Sequence, residues 1–223
     1  MLFKKDKVIS GVADVNSKVD FTLLDPRATL SDLEKLCDVA YKNQYYSVCV
    51  NPCNVSYVSG YIANNLNSAI KVVSVVGFPL GANTTESKIF ELKQAIQNGA
   101  DEIDVVINIG KVKNGDFVYV KDELTKIRKA MKKHTLKVII ETCYLDENEI
   151  VKVCKICAST KIDFVKTSTG FGTGGAFPEH VSLMQRVLAG KCKIKASGGV
   201  RTREQAVNLI NLGADRIGTS HII

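Results

Sequence analysis

Eight short apolar runs rich in β-branched residues alternate along the chain with longer segments that have helical periodicity. Such runs are typical of parallel strands buried on both faces beneath crossover helices. The predicted strands are residues 19–24, 46–50, 71–76, 102–107, 137–141, 164–167, 193–196 and 216–218. Because a parallel sheet of eight strands has no exposed edge once it closes, the pattern predicts an α/β fold, the (β/α)8 TIM barrel.

No linker-like stretch interrupts this alternation, and 223 residues with 45% hydrophobic content are enough for one sizeable core. We therefore predict a single barrel domain over residues 1–223. The last predicted strand ends shortly before Ile223, so the final helix is predicted to be truncated or absent.

Local signals mark the ends of several predicted helices. Ser31 with Glu34, and Thr202 with Gln205, have the spacing of a capping box. The sequence GADEI at 99–103 recurs as GADRI at 213–217, and each glycine is expected to end a helix in the left-handed conformation. This echo supports closure of the barrel, although any helix-to-strand turn favours such residues equally.

The formal charge of +7 raises the question of nucleic-acid binding, and KIRKAMKKH at 126–134 is the densest basic run. It spaces Ile127, Ala130 and Met131 at helical intervals, with basic residues but no aromatic residue between them. This pattern is typical of a core-facing stripe beneath a solvated face. We expect no nucleic-acid partner, and the positive charge favours a small anionic substrate.

Other composition signals concern location. The first residues, MLFKKDKVIS, are basic but have no apolar stretch behind them, and the uncharged segment 43–70 is broken by Asn, Ser and Pro52. We expect neither a signal peptide nor a membrane span.

Seven cysteines are more consistent with reduced thiols in a cytoplasmic protein than with a disulfide scaffold. The lone CxxC pair, Cys154 and Cys157, is predicted to pack in a helix.

Three polar residues interrupt or end apolar strands, where a barrel of this type places its active site. Lys166 ends the sixth strand in DFVKTSTGFGTGG, Lys195 ends the seventh in CKIKASGGV, and Asp104 lies inside the fourth in DEIDVVINIG. If all three face inward, two amines and a carboxylate share one cavity. A second ammonium group and desolvation can lower a lysine pKa by several units and make the amine nucleophilic. The spacing leaves open which lysine is the nucleophile.

Glycine-rich turns follow the last three predicted strands, at 170–175, 198–199 and 218. Loops after the seventh and eighth strands of such barrels commonly bind phosphate, because glycine lets backbone N–H groups approach an anion. A phosphate-bearing ligand is the inference. Tight turns favour glycine for steric reasons alone, and that reading stays open.

The residues that carry this chemistry lie in segments that resemble the deoxyribose-phosphate aldolase family, over about residues 19–220 of the chain. The segments are VDFTLLDPRAT, SVCVNP, VVGFPLG, EIDVVINIG, KVIIET, FVKTSTGF, KASGGVRT and IGTS. The resemblance implies that Lys166 forms a Schiff base, and that Asp104 and Lys195 serve a proton relay through an ordered water. The phosphate site that it implies consists of Gly170, Gly198, Gly199, Gly218 and Ser220.

The implied reaction is reversible cleavage of 2-deoxy-D-ribose 5-phosphate to D-glyceraldehyde 3-phosphate and acetaldehyde. The resemblance also implies a homodimer, and we expect no metal and no other cofactor. The chain departs from many relatives at Phe21 and Asp25, which replace His and Lys, and at Cys143, which replaces a glycine. His221 takes the place of a small residue near the phosphate, and some relatives have a longer C-terminal tail.

Three other functions fit parts of the pattern. A sugar-phosphate isomerase or epimerase would use a carboxylate or histidine base without a lysine pair. A metal-dependent aldolase would need clustered ligands, whereas His134, His180 and His221 are scattered. A non-catalytic sugar-phosphate-binding barrel is the third alternative, and the presence of both lysines and Asp104 argues against it.

Overall fold

The computed structural model describes residues 15–131 and 133–223, and its strands form one closed parallel barrel. Each strand pairs with the next along the chain, and the last pairs with the first. The strands are β1 (Val19–Leu23), β2 (Ser47–Val50), β3 (Lys71–Val76), β4 (Glu102–Val106), β5 (Thr135–Ile139), β6 (Phe164–Lys166), β7 (Lys193–Ser197) and β8 (Arg216–Thr219). All eight predicted strands are confirmed, as is the barrel.

Helices cover the outside of the barrel. They are α1 (Leu30–Lys42), α2 (Val55–Tyr61), α3 (Thr85–Gln97), α4 (Ile109–Lys113), α5 (Phe117–Met131), α6 (Glu147–Ser159), α7 (Pro178–Leu188) and α8 (Arg203–Asn211). Both α4 and α5 lie between β4 and β5. Residues 220–223 form no helix after β8, in agreement with the prediction.

Apolar packing is divided unequally between the two faces of the barrel wall. The main cluster, which includes Ile103 and Val105, lies between the strands and the helices. A small separate cluster contains Cys49, Val73 and Val75 of β2 and β3. Since strand residues alternate between faces, the opposite face of β4 carries charged residues instead. The barrel interior is therefore apolar near β2 and β3, whereas charged residues concentrate on its other strands.

The capping predictions have different outcomes. Thr202 and Gln205 form the predicted capping box at α8. The prediction that Ser31 caps α1 is wrong, because the helix begins at Leu30 and the capping box is formed by Thr29 and Asp32. Threonine is an equally good N-cap residue and an aspartate in the third position can complete the box, so the helix starts two residues earlier than predicted.

The repeated GAD sequence has a structural basis. Gly99 and Gly213 adopt φ values of +107° and +114°, as predicted for left-handed helix ends. The aspartate of each copy accepts a hydrogen bond of 2.9 Å from a backbone N–H of the preceding strand, Asp101 from Val72 and Asp215 from Ile194. Each copy thus joins a helix end to two adjacent strands.

Several predictions concern surfaces and ends. In the basic run, Ile127 and Met131 are buried, and Ala130 packs against the core. The predicted packing of Cys154 and Cys157 is confirmed, since both are buried in the main cluster. No helix within the described ranges is long and apolar enough to cross a membrane. The segment MLFKKDKVIS, and with it part of the predicted domain 1–223, lies outside the described residues.

The cap of α1 can be tested directly. Thr29→Ala removes the hydroxyl that accepts from the Asp32 N–H, and should lower the free energy of unfolding by about 1 kcal/mol. Ser31 lies inside the helix, so Ser31→Ala should change the free energy of unfolding by less than about 0.5 kcal/mol. Urea unfolding followed by circular dichroism measures both. A larger loss for the Ser31 variant would contradict the assigned helix start.

Candidate active site

The structure brings Lys166, Lys195 and Asp104 into direct contact in the barrel interior. The Nζ atoms of both lysines donate hydrogen bonds of 2.8 Å to the same oxygen, Oδ2 of Asp104. Lys166 and Lys195 are register partners on the adjacent strands β6 and β7, so they lie side by side. The two amines and the carboxylate therefore share one small volume, as the strand pattern predicted.

The two lysines have opposite electrostatic environments. Burial lowers the pKa of Lys166, and the neighbouring ammonium of Lys195 lowers it further, against the opposing effect of Asp104. Burial alone would also lower the pKa of Lys195, but Asp104 and Asp20 outweigh it and hold that pKa above its ordinary value. In the free protein Lys195 thus holds its proton, whereas Lys166 is the amine that can lose its proton. This contrast distinguishes two lysines that the sequence could not.

A second layer of ion pairs connects to these residues. We call Asp20, Lys137, Glu102 and Arg216 the lower tier. Lys137 donates to Oδ1 of Asp104 at 2.9 Å and lies 2.5 Å from Glu102 Oε2. Asp20 forms salt bridges with Lys195, at 2.5 Å, and with Arg216, at 2.7 Å. Tyr46 lies beside this tier: its hydroxyl donates to Glu102, and its ring stacks on Arg216.

The whole network of salt bridges has an informative charge balance. It contains three carboxylates and four basic groups, namely Asp20, Glu102, Asp104, Lys137, Lys166, Lys195 and Arg216. With all groups ionised the network carries one excess positive charge, which is costly in a buried setting. Loss of the proton from Lys166 makes the network neutral. The neutral amine is therefore the resting state that the surrounding charges favour.

A cavity of about 680 Å³ gives access to this network, and Lys166 lies in its wall. Asp104 and Lys195 are completely buried and do not belong to the wall. The five residues predicted to hold a phosphate all line the same cavity: Gly170, Gly198, Gly199, Gly218 and Ser220. The structure thus places the predicted anion-binding residues and the lowered-pKa amine in one pocket.

The glycine turns also have a steric reason. A Cβ atom on Gly175 would lie 2.1 Å from the carbonyl oxygen of Gly198, and Gly198 itself has a φ of +90°. The Ala176 N–H donates to that carbonyl at 2.9 Å, which ties the loop after β6 to the loop after β7. The steric explanation of these glycines therefore applies, and the close approach also shapes the cavity wall.

Comparison with known proteins identifies the family. A model of the DeoC/LacD family aldolases matches residues 14–219. The chain belongs to this family. It is 51% identical over 204 residues to deoxyribose-phosphate aldolase from Thermococcus kodakarensis, with 91% of each chain covered. It is 52% identical over 207 residues to deoxyribose-phosphate aldolase from Finegoldia magna, with 93% of this chain and 96% of that one covered.

A solved structure supports the same assignment. The fold is similar to that of a deoxyribose phosphate aldolase from Aeropyrum pernix, described as a unique tetrameric structure, with a TM-score of 0.88 and 32% identity. The match covers 96% of this chain and 89% of that one. The chain is therefore an aldolase, an enzyme of the carbon–carbon lyase class.

Glu141 of the aldolase adds a feature that sequence reasoning missed. It is a buried carboxylate with a φ of +52°, in the left-handed region that side chains other than glycine rarely adopt. It accepts hydrogen bonds from the backbone N–H and the hydroxyl of Thr169. Thr142 continues the pairing with β6, so Glu141 forms a bulge between two paired residues. The bulge holds the segment that follows Lys166.

The departures from family relatives do not affect Lys166, Lys195 or Asp104. Phe21 packs on Tyr45, with ring centroids 5.4 Å apart, and Asp25 forms a two-pronged ion pair with Arg27. The Cys143 thiol lies 3.8 Å from Glu141. His221 lines the cavity next to Ser220, with 3.3 Å between its Nδ1 atom and the serine hydroxyl. Both His221 and Asp25 therefore contribute to the pocket wall instead of the charge network.

Other residues of the site differ in how visible they were in the sequence. Asp20 in VDFTL interrupts an apolar strand, and the same signal that identified Asp104 could have found it. Lys137 is the first residue of the predicted strand 137–141, but the observed strand begins at Thr135 and contains it. Glu102 and Arg216 are the first residues of their strands, where a charged side chain is expected to be solvated. Only closure of the barrel shows that they are buried. The histidines are spread over the fold, and no cluster of three metal-ligating residues occurs within 15–131 and 133–223.

The hydrogen bonds between Thr169 and Glu141 lead to a stability prediction. Thr169→Val removes the hydroxyl that donates to Glu141 and also accepts from the Phe171 N–H. Because hydrogen bonds to a charged group contribute about 1.5–3 kcal/mol, the free energy of unfolding should fall by about that amount. Thr169→Ser keeps the hydroxyl and should lose less. Equal losses in urea unfolding would show that the hydroxyl is not the stabilising group.

Proposed function

We propose that this aldolase is a class I enzyme that reversibly cleaves 2-deoxy-D-ribose 5-phosphate to D-glyceraldehyde 3-phosphate and acetaldehyde through a Schiff base on Lys166. The observation that carries the proposal is the contrast between two adjacent lysines. Lys166 reaches the cavity and has a lowered pKa, whereas Lys195 is buried beside it and has a raised one. Such a pair supplies a nucleophile and a proton donor at one position.

The first half of the reaction forms the iminium. The neutral amine of Lys166 attacks C1 of the open-chain aldehyde, and proton transfer within the adduct gives a carbinolamine. The Lys195 ammonium donates a proton to its hydroxyl group, water leaves, and an iminium remains on Lys166. Lys195 is then a neutral amine. Because Lys195 is buried behind the cavity wall, this and the later proton transfers pass through an ordered water and Asp104, which contacts both nitrogens at 2.8 Å.

The second half breaks the carbon–carbon bond. Lys195, now neutral, takes the proton of the C3 hydroxyl, the C2–C3 bond breaks, and its electron pair moves toward the iminium. Glyceraldehyde 3-phosphate leaves and an enamine remains on Lys166. The Lys195 ammonium protonates C2 of the enamine, which restores the iminium. Water then adds to the iminium with loss of a proton to Lys195, and collapse of the adduct releases acetaldehyde and the free amine.

The charge network fits this sequence of steps. In the free enzyme and in the enamine, Lys195 is the charged member of the pair. In each iminium the positive charge is on Lys166 and Lys195 is neutral. The pair therefore carries a single positive charge at every stage. This charge, with those of the two other basic groups, balances the three carboxylates throughout. A constant charge removes the need for the buried surroundings to reorganise during the reaction.

For the other end of the substrate, we propose that the phosphate binds Gly170, Gly198, Gly199, Gly218 and Ser220. These residues line the cavity that Lys166 also lines. Arg201 lies in the same wall and adds positive charge near the turns, whereas the charge of Arg27 in that wall is offset by its ion pair with Asp25. Helix α8 begins at Arg203, shortly after the pocket residues Val200 and Arg201, so the positive end of its dipole lies near these turns and favours an anion.

The remaining expectations stay proposals. We propose a single domain over residues 1–223 that works with a small sugar phosphate, without a metal or other cofactor, and without a nucleic-acid or membrane partner. The seven cysteines all have free thiols, which supports a reducing compartment such as the cytoplasm. The homodimer implied by the sequence resemblance is likewise a prediction. The tetramer described for the Aeropyrum pernix protein is a property of that protein.

Reductive trapping tests the nucleophile. Sodium borohydride added with acetaldehyde should inactivate the aldolase irreversibly, and peptide mass spectrometry should find the added ethyl group on Lys166. Lys166→Arg keeps a positive charge but cannot form an imine, because a guanidinium group stays protonated. We expect this variant to lose turnover by several orders of magnitude, on the order of the 10⁴-fold or more expected when a covalent nucleophile is removed.

A coupled assay for glyceraldehyde 3-phosphate supplies the matching measurement of turnover. Release of this product from deoxyribose 5-phosphate, together with the adduct on Lys166, is the expected result. Substantial activity of Lys166→Arg, or an adduct on Lys195, would place the nucleophile elsewhere. Tight substrate binding without product release by the wild-type chain would favour a non-catalytic sugar-phosphate-binding barrel.

A further inference from the structure

We propose that the lower tier sets the pH range in which Lys166 is a free amine, with Lys137 and Glu102 acting as positioning residues of opposite effect. This inference rests on the proposed function, because it concerns the protonation of the same nucleophile. It goes further in assigning a role to a layer of the barrel that is remote from the cavity.

The lower tier has no access to the substrate. Lys137 is completely buried, and Glu102 and Arg216 are 3% and 7% exposed. None of them belongs to the cavity wall. Any influence of these residues on the reaction must therefore come from their charges and from the residues that they contact. Lys137 is one direct link, because it binds Glu102 on one side and Asp104 on the other. Asp20 is a second link, because it contacts both Lys195 and Arg216.

Lys166 has charged or titratable neighbours on most of the strands around it. The groups that face it or join its network are Asp20 of β1, Cys49 of β2, Glu102 and Asp104 of β4, Lys137 of β5, Lys195 of β7 and Arg216 of β8. Burial raises the pKa of the Cys49 thiol, so that group remains neutral. Glu141, at the end of β5, is bound by Thr169 instead. The fixed charges near Lys166 thus come from Asp104, Lys195 and the lower tier.

The signs of these charges give opposite expectations. In a poorly solvated interior, charges interact more strongly and over longer distances than they do in water. Removal of the Lys137 charge leaves three carboxylates with too few partners, which favours a proton on Lys166. Removal of the Glu102 charge leaves an excess of positive charge, which disfavours that proton. A tier that served only to hold the strands together would not produce shifts of opposite sign.

The test measures how fast the protein forms the imine as a function of pH. Wild type, Lys137→Met, Glu102→Gln and the double variant are mixed with acetaldehyde, quenched with borohydride at intervals and analysed by mass spectrometry. The acid limb of the rate profile should move to higher pH in Lys137→Met and to lower pH in Glu102→Gln, each by roughly one unit. The double variant restores the charge balance, so its limb should return to within about 0.3 units of wild type.

The controls separate charge from structure. Lys71→Met removes a positive charge from a strand lysine that is half exposed and paired with Asp101, and should leave the acid limb unchanged. If Lys137→Met fails to fold, Glu102→Gln and the charge-balanced double variant still give the comparison. Shifts in the same direction, no shift, or a double variant displaced as far as a single one would overturn the inference while leaving the Schiff base intact. Absence of any adduct on Lys166 in wild type would overturn the proposed function and the inference with it.

Discussion

The shared carboxylate of Asp104 is the interaction on which the rest of the site depends. Three lysines on three strands, Lys137, Lys166 and Lys195, converge on its two oxygens. Burial would raise the pKa of Asp104, but the ammonium groups of Lys137 and Lys195, together with the Lys166 side chain that donates to the same carboxylate, hold that pKa well below its usual range. Removal of such ions from water is very unfavourable unless each is paired, so the network is stable only as a unit. The closed barrel makes that unit possible, since it directs residues of distant strands to one axis.

A buried network of fixed composition also determines the chemistry. Its three carboxylates are balanced by three positive charges, and the fourth basic group is left uncharged. The ammonium form is stabilised least at Lys166, because Lys166 contacts a single carboxylate, whereas Lys195 contacts Asp20 and Asp104. Lys166 is also the lysine that reaches the cavity. The proposed nucleophile thus lies where access to the cavity and a deficit of negative charge coincide.

Much of this arrangement could be predicted from the sequence. The eight strands follow from their apolar, β-branched runs, and the positions of Lys166, Lys195 and Asp104 in those strands raised the possibility, which the structure bears out, that all three face inward. These features are local and periodic. The same logic, applied to VDFTL, identifies Asp20, whereas Lys137 is the first residue of the predicted strand 137–141, which in the structure begins two residues earlier at Thr135. Glu102 shares a face with Asp104 by the same alternation, but Glu102 and Arg216 are the first residues of their strands, where the sequence does not show whether a charged side chain is buried or solvated.

Other features depend on backbone detail that patterns do not show. The start of α1 was placed two residues late because threonine and serine are both good caps, and only the hydrogen bonds identify Thr29. The left-handed Glu141 has no sequence signal, since glycine is the residue expected in that conformation. Which lysine becomes the nucleophile was equally undetermined, because that choice depends on how many carboxylates each amine contacts in three dimensions.

The protonation states of individual lysines provide the most direct test of this account. Nuclear magnetic resonance of the aldolase with isotope-labelled lysine side chains, assigned by substitution, can follow each ammonium group through a pH titration without any substrate. The account predicts that Lys166 loses its proton well below the ordinary lysine range while Lys137 and Lys195 remain charged. A Lys166 that titrates at or above the ordinary value, or a Lys195 that loses its proton first, would contradict it.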